Sequence, residues 1–124
     1  DNVVFHRVID GFMAQTGEVK FGNSDSKDFD LRRAGMGGSD LPDLKQEFSS
    51  VPHDRGTLSM ARSSDPDSEN SQFFICFKEA SFLDRQYTVF GKVIEGMDLV
   101  DKIKRGDQNN NGSVSNPDKI ISFK

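Results

Sequence analysis

Val3-Val4-Phe5-His6-Arg7-Val8-Ile9-Asp10-Gly11-Phe12-Met13-Ala14-Gln15-Thr16-Gly17 is the stretch whose reading decides the fold class. Residues 3–9 are rich in β-branched and aromatic side chains, which fit a pleated, half-buried surface. Asp10-Gly11 is a turn dipeptide of the kind that joins antiparallel strands. Phe12 to Gln15 then form a second short strand, which Thr16-Gly17 ends. Further short strands are expected at Leu58 to Ala61, at Phe73 to Phe77, from Tyr87 to Val93 with a break at Gly91, and from Lys119 to Phe123. One helix is expected over 97–105. Glu95 and Asp98 at its start, Lys102, Lys104 and Arg105 near its end and Gly106 just after it match the dipole and C-cap preferences. Leu99, Val100 and Ile103 give it an apolar stripe. Many short strands, turn signals and a single helix indicate a mainly β protein, a barrel or a sandwich.

The 124 residues are enough for one domain. Sixteen Lys and Arg against 20 Asp and Glu leave a net charge of −4, without the clustered basic face that nucleic acid requires. Only 34% of residues are hydrophobic, so the core must rest on a few large side chains, among them 11 Phe. The longest apolar run, residues 73–77, falls far short of the roughly 20 residues that span a bilayer, so no membrane association is expected. A single cysteine, Cys76, cannot form an internal disulfide. The chain opens on Asp1 with no initiator Met and no signal-peptide pattern. The expected compartment is the cytoplasm, the periplasm staying open because the segment before Asp1 is not seen. Residues 18–56 are polar, carry the run Gly35-Met36-Gly37-Gly38-Ser39-Asp40, and lack periodicity, which marks a functional or disordered loop.

Few residues offer conventional chemistry. Cys76 lies mid-strand among phenylalanines, where a thiol behaves as a small buried hydrophobe. His6 and His53 are isolated in sequence, with no metal-ligand spacing. No phosphate-binding or dinucleotide motif is present, so no cofactor is expected. Asp107, Asn109, Asn111, Gly112 and Asp118 fit part of a calcium-loop pattern. Position 12 of that loop is nevertheless Asp rather than Glu, and Pro117 stands where a second helix would enter, so an Asn/Gly turn is the preferred reading and no metal is assigned. What remains is a mixed face. Period 2 places Gln72, Phe74 and Cys76 on one side of a strand and pairs Met13 with Gln15, with Arg7 and Phe12 close by in sequence. Amides, a guanidinium, Met and Phe together suit a shallow apolar pocket with a few oriented donors. An exposed sheet face with Arg7 lying along it is the other reading of the same residues.

Four blocks resemble those of the cyclophilin-type peptidyl-prolyl cis–trans isomerases: residues 5–15, Gly56 to Ala61, Asn70 to Cys76, and Phe82-Leu83-Asp84 leading to Val89-Phe90-Gly91-Lys92-Val93. Their order and spacing match over residues 3 to about 103, and their wording is similar to bacterial members. The resemblance implies a closed eight-stranded antiparallel β-barrel, about six strands of it represented here, with one helix in the C-terminal half. It implies Arg7 and Gln15 as catalytic residues, and Phe12, Met13, Phe74 and Leu83 as a proline pocket. Phe82 and Tyr87 would stand at the rim, and Gln72, Gly35, Ala61 and Arg62 would hold the peptide. The expected substrates are proline-containing peptides or unfolded proteins, and the protein is expected to be a monomer.

The departures from the family pattern carry their own implications. Phe82 stands where most eukaryotic members have Trp, which removes an indole N–H and implies weak binding of cyclosporin-type cyclic peptides. Tyr87 replaces a His, Arg62 an Asn and Asp10 a common Pro, and residues 18–48 match poorly. The family's first two strands and first helix have no counterpart here, so a single, N-terminally incomplete domain over 1–124 is expected. The segment is read as a fragment of a longer protein, the alternative being that another copy or segment supplies those strands. Beside the isomerase stand two other readings, a non-catalytic binder of proline peptides and a calcium-stabilised structural domain.

Overall fold

The computed structural model describes residues 1–124. Five strands form one antiparallel sheet: β1 (Arg7–Ile9), β2 (Met13–Thr16), β3 (Thr57–Met60), β4 (Phe73–Cys76) and β5 (Val89–Lys92), in the order β1-β2-β4-β3-β5. The first hairpin turns at Asp10-Gly11, where Gly11 takes a φ of 73° and Phe12 N–H donates to the Ile9 carbonyl at 3.0 Å. That turn sets Arg7 opposite Gln15 and Ile9 opposite Met13. The next pairing sets Met13 opposite Cys76 and Gln15 opposite Phe74. One register therefore gathers Arg7, Met13, Gln15, Phe74 and Cys76 on the same side, because alternate residues share a face.

Each side of the sheet carries its own apolar cluster. Phe5, Val8, Ala14, Ile75, Phe77 and Val114 are buried on one side, with Leu58, Met97, Val100 and Ile103 packed against them. Met13, Phe74, Cys76, Ala80 and Leu83 are buried on the other, with Ile9, Phe12, Ala61 and Tyr87 partly covering them. Full burial of a large apolar side chain stabilises by about 1.5–3 kcal/mol, so both clusters contribute, and the second also builds the site. No helix is long and apolar enough to cross a membrane.

Several expected elements come out shorter. The helix runs only from Met97 to Val100 (α1). Beyond it the backbone is claimed by tertiary partners: Lys104 N–H donates to the Asp118 carboxylate at 2.8 Å and Gly106 N–H to the Val8 carbonyl at 2.8 Å. Leu99, expected on the buried stripe, is 63% exposed, whereas Val100 and Ile103 do pack inward. The expected strand 3–9 is regular only at β1. Val3 makes a single bridge to Asn23 and Val4 one to Lys119. Of the expected strand 119–123 only Lys119 and Ile120 bond to the N-terminal segment, through the Val4 bridge and backbone bonds to Asn2 and Val3, so the sheet holds five strands rather than six. Asn2 and Asn116 adopt left-handed φ values of 62° and 48°, which strand pairing does not tolerate. Gly91 does not break β5; it pairs with Leu58, beside a bulge between Leu58 and Ser59. The polar segment 18–56 is organised from within by Glu18, whose buried carboxylate accepts from the N–H groups of Lys20, Phe21 and Gly35.

Gly106 serves close approach rather than a helix cap. A Cβ there would lie 1.9 Å from the Gly112 carbonyl oxygen and 2.4 Å from its carbon, both backbone atoms. Gly106→Ala is therefore expected to cost about 3 kcal/mol or more through overpacking. Urea unfolding of the variant would show this as a lowered midpoint; an unchanged midpoint would contradict the packing.

Candidate active site

Arg7, Gln15, Phe12, Met13, Gly35, Ala61, Arg62, Phe74, Leu83 and Tyr87 line one open groove of about 960 Å³. Gln72 lies in an adjoining cleft of about 380 Å³ that shares Gln15, Gly35, Ala61 and Arg62 with the groove. Phe82 alone among the expected residues lines neither. Its ring is 65% exposed and packs on the outer face of Phe12 with centroids 5.4 Å apart. The 3-10 turn Ser81–Leu83 explains this, since it turns Leu83 inward and Phe82 outward.

The polar side of the groove is a chain of amides. Arg7 Nη1–H donates to Gln15 Oε1 at 3.1 Å, Gln15 Nε2–H to Gln72 Oε1 at 2.9 Å, and Gln72 Nε2–H to the Gly35 carbonyl at 3.0 Å. On its other side the guanidinium donates from Nε to the Asn111 carbonyl and from Nη2 to Asn111 Oδ1, each at 3.1 Å. Half-burial draws the Arg7 pKa below its ordinary value, but an arginine remains charged at any physiological pH. The apolar side is a well in which Phe74 meets the Tyr87 ring edge-on, with centroids 5.9 Å apart. Arg62 closes its rim, stacked 4.5 Å over Tyr87 and tied to the Gln86 carbonyl at 2.8 Å.

His6 and Asp107 line this groove, but His6 is only 8% exposed and Asp107 Oδ1 already accepts from Asn109 N–H. Burial pushes the Cys76 thiol up to about 11, so it stays protonated. Burial holds the His6 imidazole down to about 4, so it stays neutral near pH 7. Sequence spacing alone does not place His53 in any constellation. In the fold its Nε2 lies 2.9 Å from Ser59 Oγ and its Nδ1 lies 3.0 Å from Asp84 Oδ1, the order of a nucleophile, a base and an orienting acid. His53 and Ser59 are fully buried beneath Phe74, so the trio braces the pocket floor instead of meeting a substrate. The groups that resembled a calcium loop are otherwise engaged. Asp107 Oδ1 accepts from Asn109 N–H, Asn111 Oδ1 faces Arg7, and Asp118 Oδ2 accepts from Lys104 N–H. Asn111 is the site residue that sequence reading missed; it stands 104 positions from Arg7, and its Asn-Gly context signals only a turn.

The fold and the groove define a mainly β protein with a peptide-sized cleft on one face of its sheet. The chain belongs to the cyclophilin family: the family model described as cyclophilin type peptidyl-prolyl cis-trans isomerase/CLD matches residues 1–124. It is 64% identical over 121 residues to a probable peptidyl-prolyl cis-trans isomerase of Brucella abortus (strain 2308), covering 98% of this chain and 61% of that protein. It is 39% identical over 127 residues to peptidyl-prolyl cis-trans isomerase A of Dickeya dadantii, again covering 98% of the chain and 61% of the relative. Among solved structures, the cyclophilin AquaCyp293 from Hirschia baltica superposes with a TM-score of 0.75 at 26% identity, over 98% of this chain and 58% of that one. A Cryptosporidium parvum cyclophilin type peptidyl-prolyl cis-trans isomerase, crystallised in the presence of the dipeptide Ala-Pro, gives a TM-score of 0.69 at 28% identity, over 92% of this chain and 68% of that one. The chain thus spans about three fifths of the length of these bacterial relatives.

Proposed function

We propose that this chain accelerates cis–trans rotation about X–Pro bonds in unfolded or flexible polypeptides, with Arg7 stabilising the twisted amide above an apolar proline pocket. The observation that carries the reading is a guanidinium held by Gln15 and Asn111 beside an apolar well of Phe12, Met13, Phe74 and Leu83. Rotating an amide costs about 18–20 kcal/mol because the C–N bond must lose its double-bond character. In the twisted state the nitrogen lone pair is localised, and a fixed positive charge binds that state better than the planar one. Such differential binding lowers the barrier with no proton or covalent bond exchanged. A ~10⁵-fold acceleration corresponds to roughly 7 kcal/mol. In this reading the Arg7 charge, the Gln15 amide and a pocket of Phe12, Met13, Phe74 and Leu83 share it. Tyr87 and Phe82 flank the pocket, while Gln72, Gly35, Ala61 and Arg62 hold the peptide backbone.

The same reading takes residues 1–124 as a single domain acting as a monomer, its sheet being the larger arc of a closed barrel. No cofactor enters the scheme, because rotation moves no electrons or groups. Cyclosporin-type peptides are expected to bind weakly, since the outward Phe82 ring offers no N–H. The test is exchange spectroscopy by NMR on a short Ala-Pro peptide with this chain, its own amide spectrum recorded alongside. Accelerated exchange is the expected result. A dispersed amide spectrum with peptide binding but no acceleration would reject catalysis in favour of a proline-peptide binding module.

A further inference from the structure

We propose that Asn111 is a positioning residue for this reaction, fixing the plane and reach of the Arg7 guanidinium through two separate oxygens. The inference rests on the isomerase reading of the groove. Arg7 Nε donates to the Asn111 carbonyl and Nη2 to Asn111 Oδ1, while Nη1 goes to Gln15. A guanidinium has five N–H donors in a planar fork. Three are thereby committed on two sides of the plane's edge, which leaves two for a substrate and removes rotation about the last side-chain bonds. Gln15 alone would hold only one corner.

A single residue presents both oxygens to Arg7 because of its backbone. Asn111 has φ 54° and ψ 29°, the left-handed conformation that asparagine tolerates better than most residues. It ends the 3-10 turn Gln108–Asn110, whose start is capped by the Asp107 side chain accepting from Asn109 N–H at 2.9 Å. Gly112 N–H returns to the Asp107 carbonyl at 2.8 Å, and Asp107 N–H reaches the Ser113 carbonyl at 2.9 Å. The loop is then clamped to β1 itself: Val8 N–H donates to the Gly112 carbonyl at 2.9 Å and Gly106 N–H to the Val8 carbonyl at 2.8 Å. A Cβ on Gly112 would stand 2.6 Å from Ile9 Cγ1 and 3.4 Å from Arg7 Cγ, so only glycine brings the loop this close. The neighbour of Arg7 in sequence, Val8, thus anchors the loop that holds the Arg7 head group.

A conformational role and a positioning role make opposite predictions for one substitution. Asn111→Gly keeps the backbone carbonyl and suits a left-handed φ at least as well as asparagine does. If Asn111 serves only the turn, the variant should fold and exchange the peptide as the parent does. If it positions Arg7, catalysed exchange at saturating Ala-Pro peptide should fall by about tenfold, less than the ~10²-fold that a ~1 Å misplacement can cost. Peptide affinity and thermal midpoint should stay near the parent values. The Arg7 Nη2–H signal, whose Oδ1 partner the substitution removes, should lose its ordered-side-chain character. Asn111→Asp retains an acceptor oxygen for Nη2 and should recover the rate to within about threefold of the parent. Parent-like exchange in Asn111→Gly, or an Arg7 signal as ordered as in the parent, would overturn the positioning role while leaving the isomerase reading intact. Absence of exchange in the parent chain would instead overturn the isomerase reading, and the inference with it.

Discussion

Arg7→Ala is expected to lower catalysed Ala-Pro exchange by about 10²–10³-fold, the usual cost of removing one preorganised electrostatic stabiliser from a reacting centre. Peptide affinity should change much less. The proposed proline pocket is formed by Phe12, Met13, Phe74 and Leu83, which the substitution does not touch, and three of these belong to the buried cluster on that side of the sheet. Stability should also be nearly unaffected, since Arg7 is half-buried at the groove and its partners Gln15 and Asn111 are open enough to take water instead. A rate that falls while affinity holds is the signature of an interaction made only in the transition state. Arg7→Lys sharpens the point. Lysine keeps the charge but presents it as a mobile point with no planar fork for Gln15 and Asn111 to grip. Its exchange rate should lie between those of the parent and Arg7→Ala. Exchange spectroscopy at saturating peptide, paired with a titration of peptide shifts, separates rate from affinity. Unchanged exchange in Arg7→Ala would remove Arg7 from the mechanism.

How much of this is legible in the sequence follows from the range of the interactions involved. The first hairpin is readable because Asp10-Gly11 and the flanking alternation are local. Period 2 then pairs Met13 with Gln15 and Gln72 with Phe74 within their own strands, whereas setting Arg7 opposite Gln15 and Gln15 opposite Phe74 takes the strand register. A helix over 97–105 is too long because propensity and capping residues are also local, whereas the groups that stop it, Asp118 and the Val8 carbonyl, come from distant segments. The outward turn of Phe82, which packs on Phe12, is illegible for a related reason: a motif fixes which residues lie on a turn, but the turn's phase decides that Leu83 faces in and Phe82 out. The contacts between His53, Ser59 and Asp84, and between Asn111 and Arg7, are made entirely by the closing of the chain. No periodicity encodes them.

His6 shows what such closure does to a residue that stands isolated in the sequence. It adjoins Arg7 in the chain, is 8% exposed, and neither of its ring nitrogens has a hydrogen-bond partner. Gly35, at a φ of +102°, lies against it, so that a Cβ there would stand 3.1 Å from Nε2. Burial lowers its pKa from 6.5 to about 4; the Glu18 carboxylate opposes that change and the Arg7 charge adds to it. The unfolded chain therefore binds more protons than the folded one between these two values, and stability must fall as pH drops through that window. Above pH 6.5 the contribution is fully present, and below about 4 the loss from this group is complete. The full loss is about 3 kcal/mol, since each tenfold weakening of proton affinity is worth about 1.4 kcal/mol. Asp84 contributes in the same direction but lower on the scale. Its pKa is depressed by the hydrogen bonds it accepts from His53, so that its share is lost only below the ordinary carboxylate range. The two groups are thus separable by pH. Between pH 7 and pH 4.5, urea unfolding should show the parent losing about 2 to 3 kcal/mol more than His6→Gln, whose side chain does not titrate. Equal losses in the two proteins would mean that His6 meets solvent or a partner in the folded state, and the groove floor would then have to be wetter than its burial indicates.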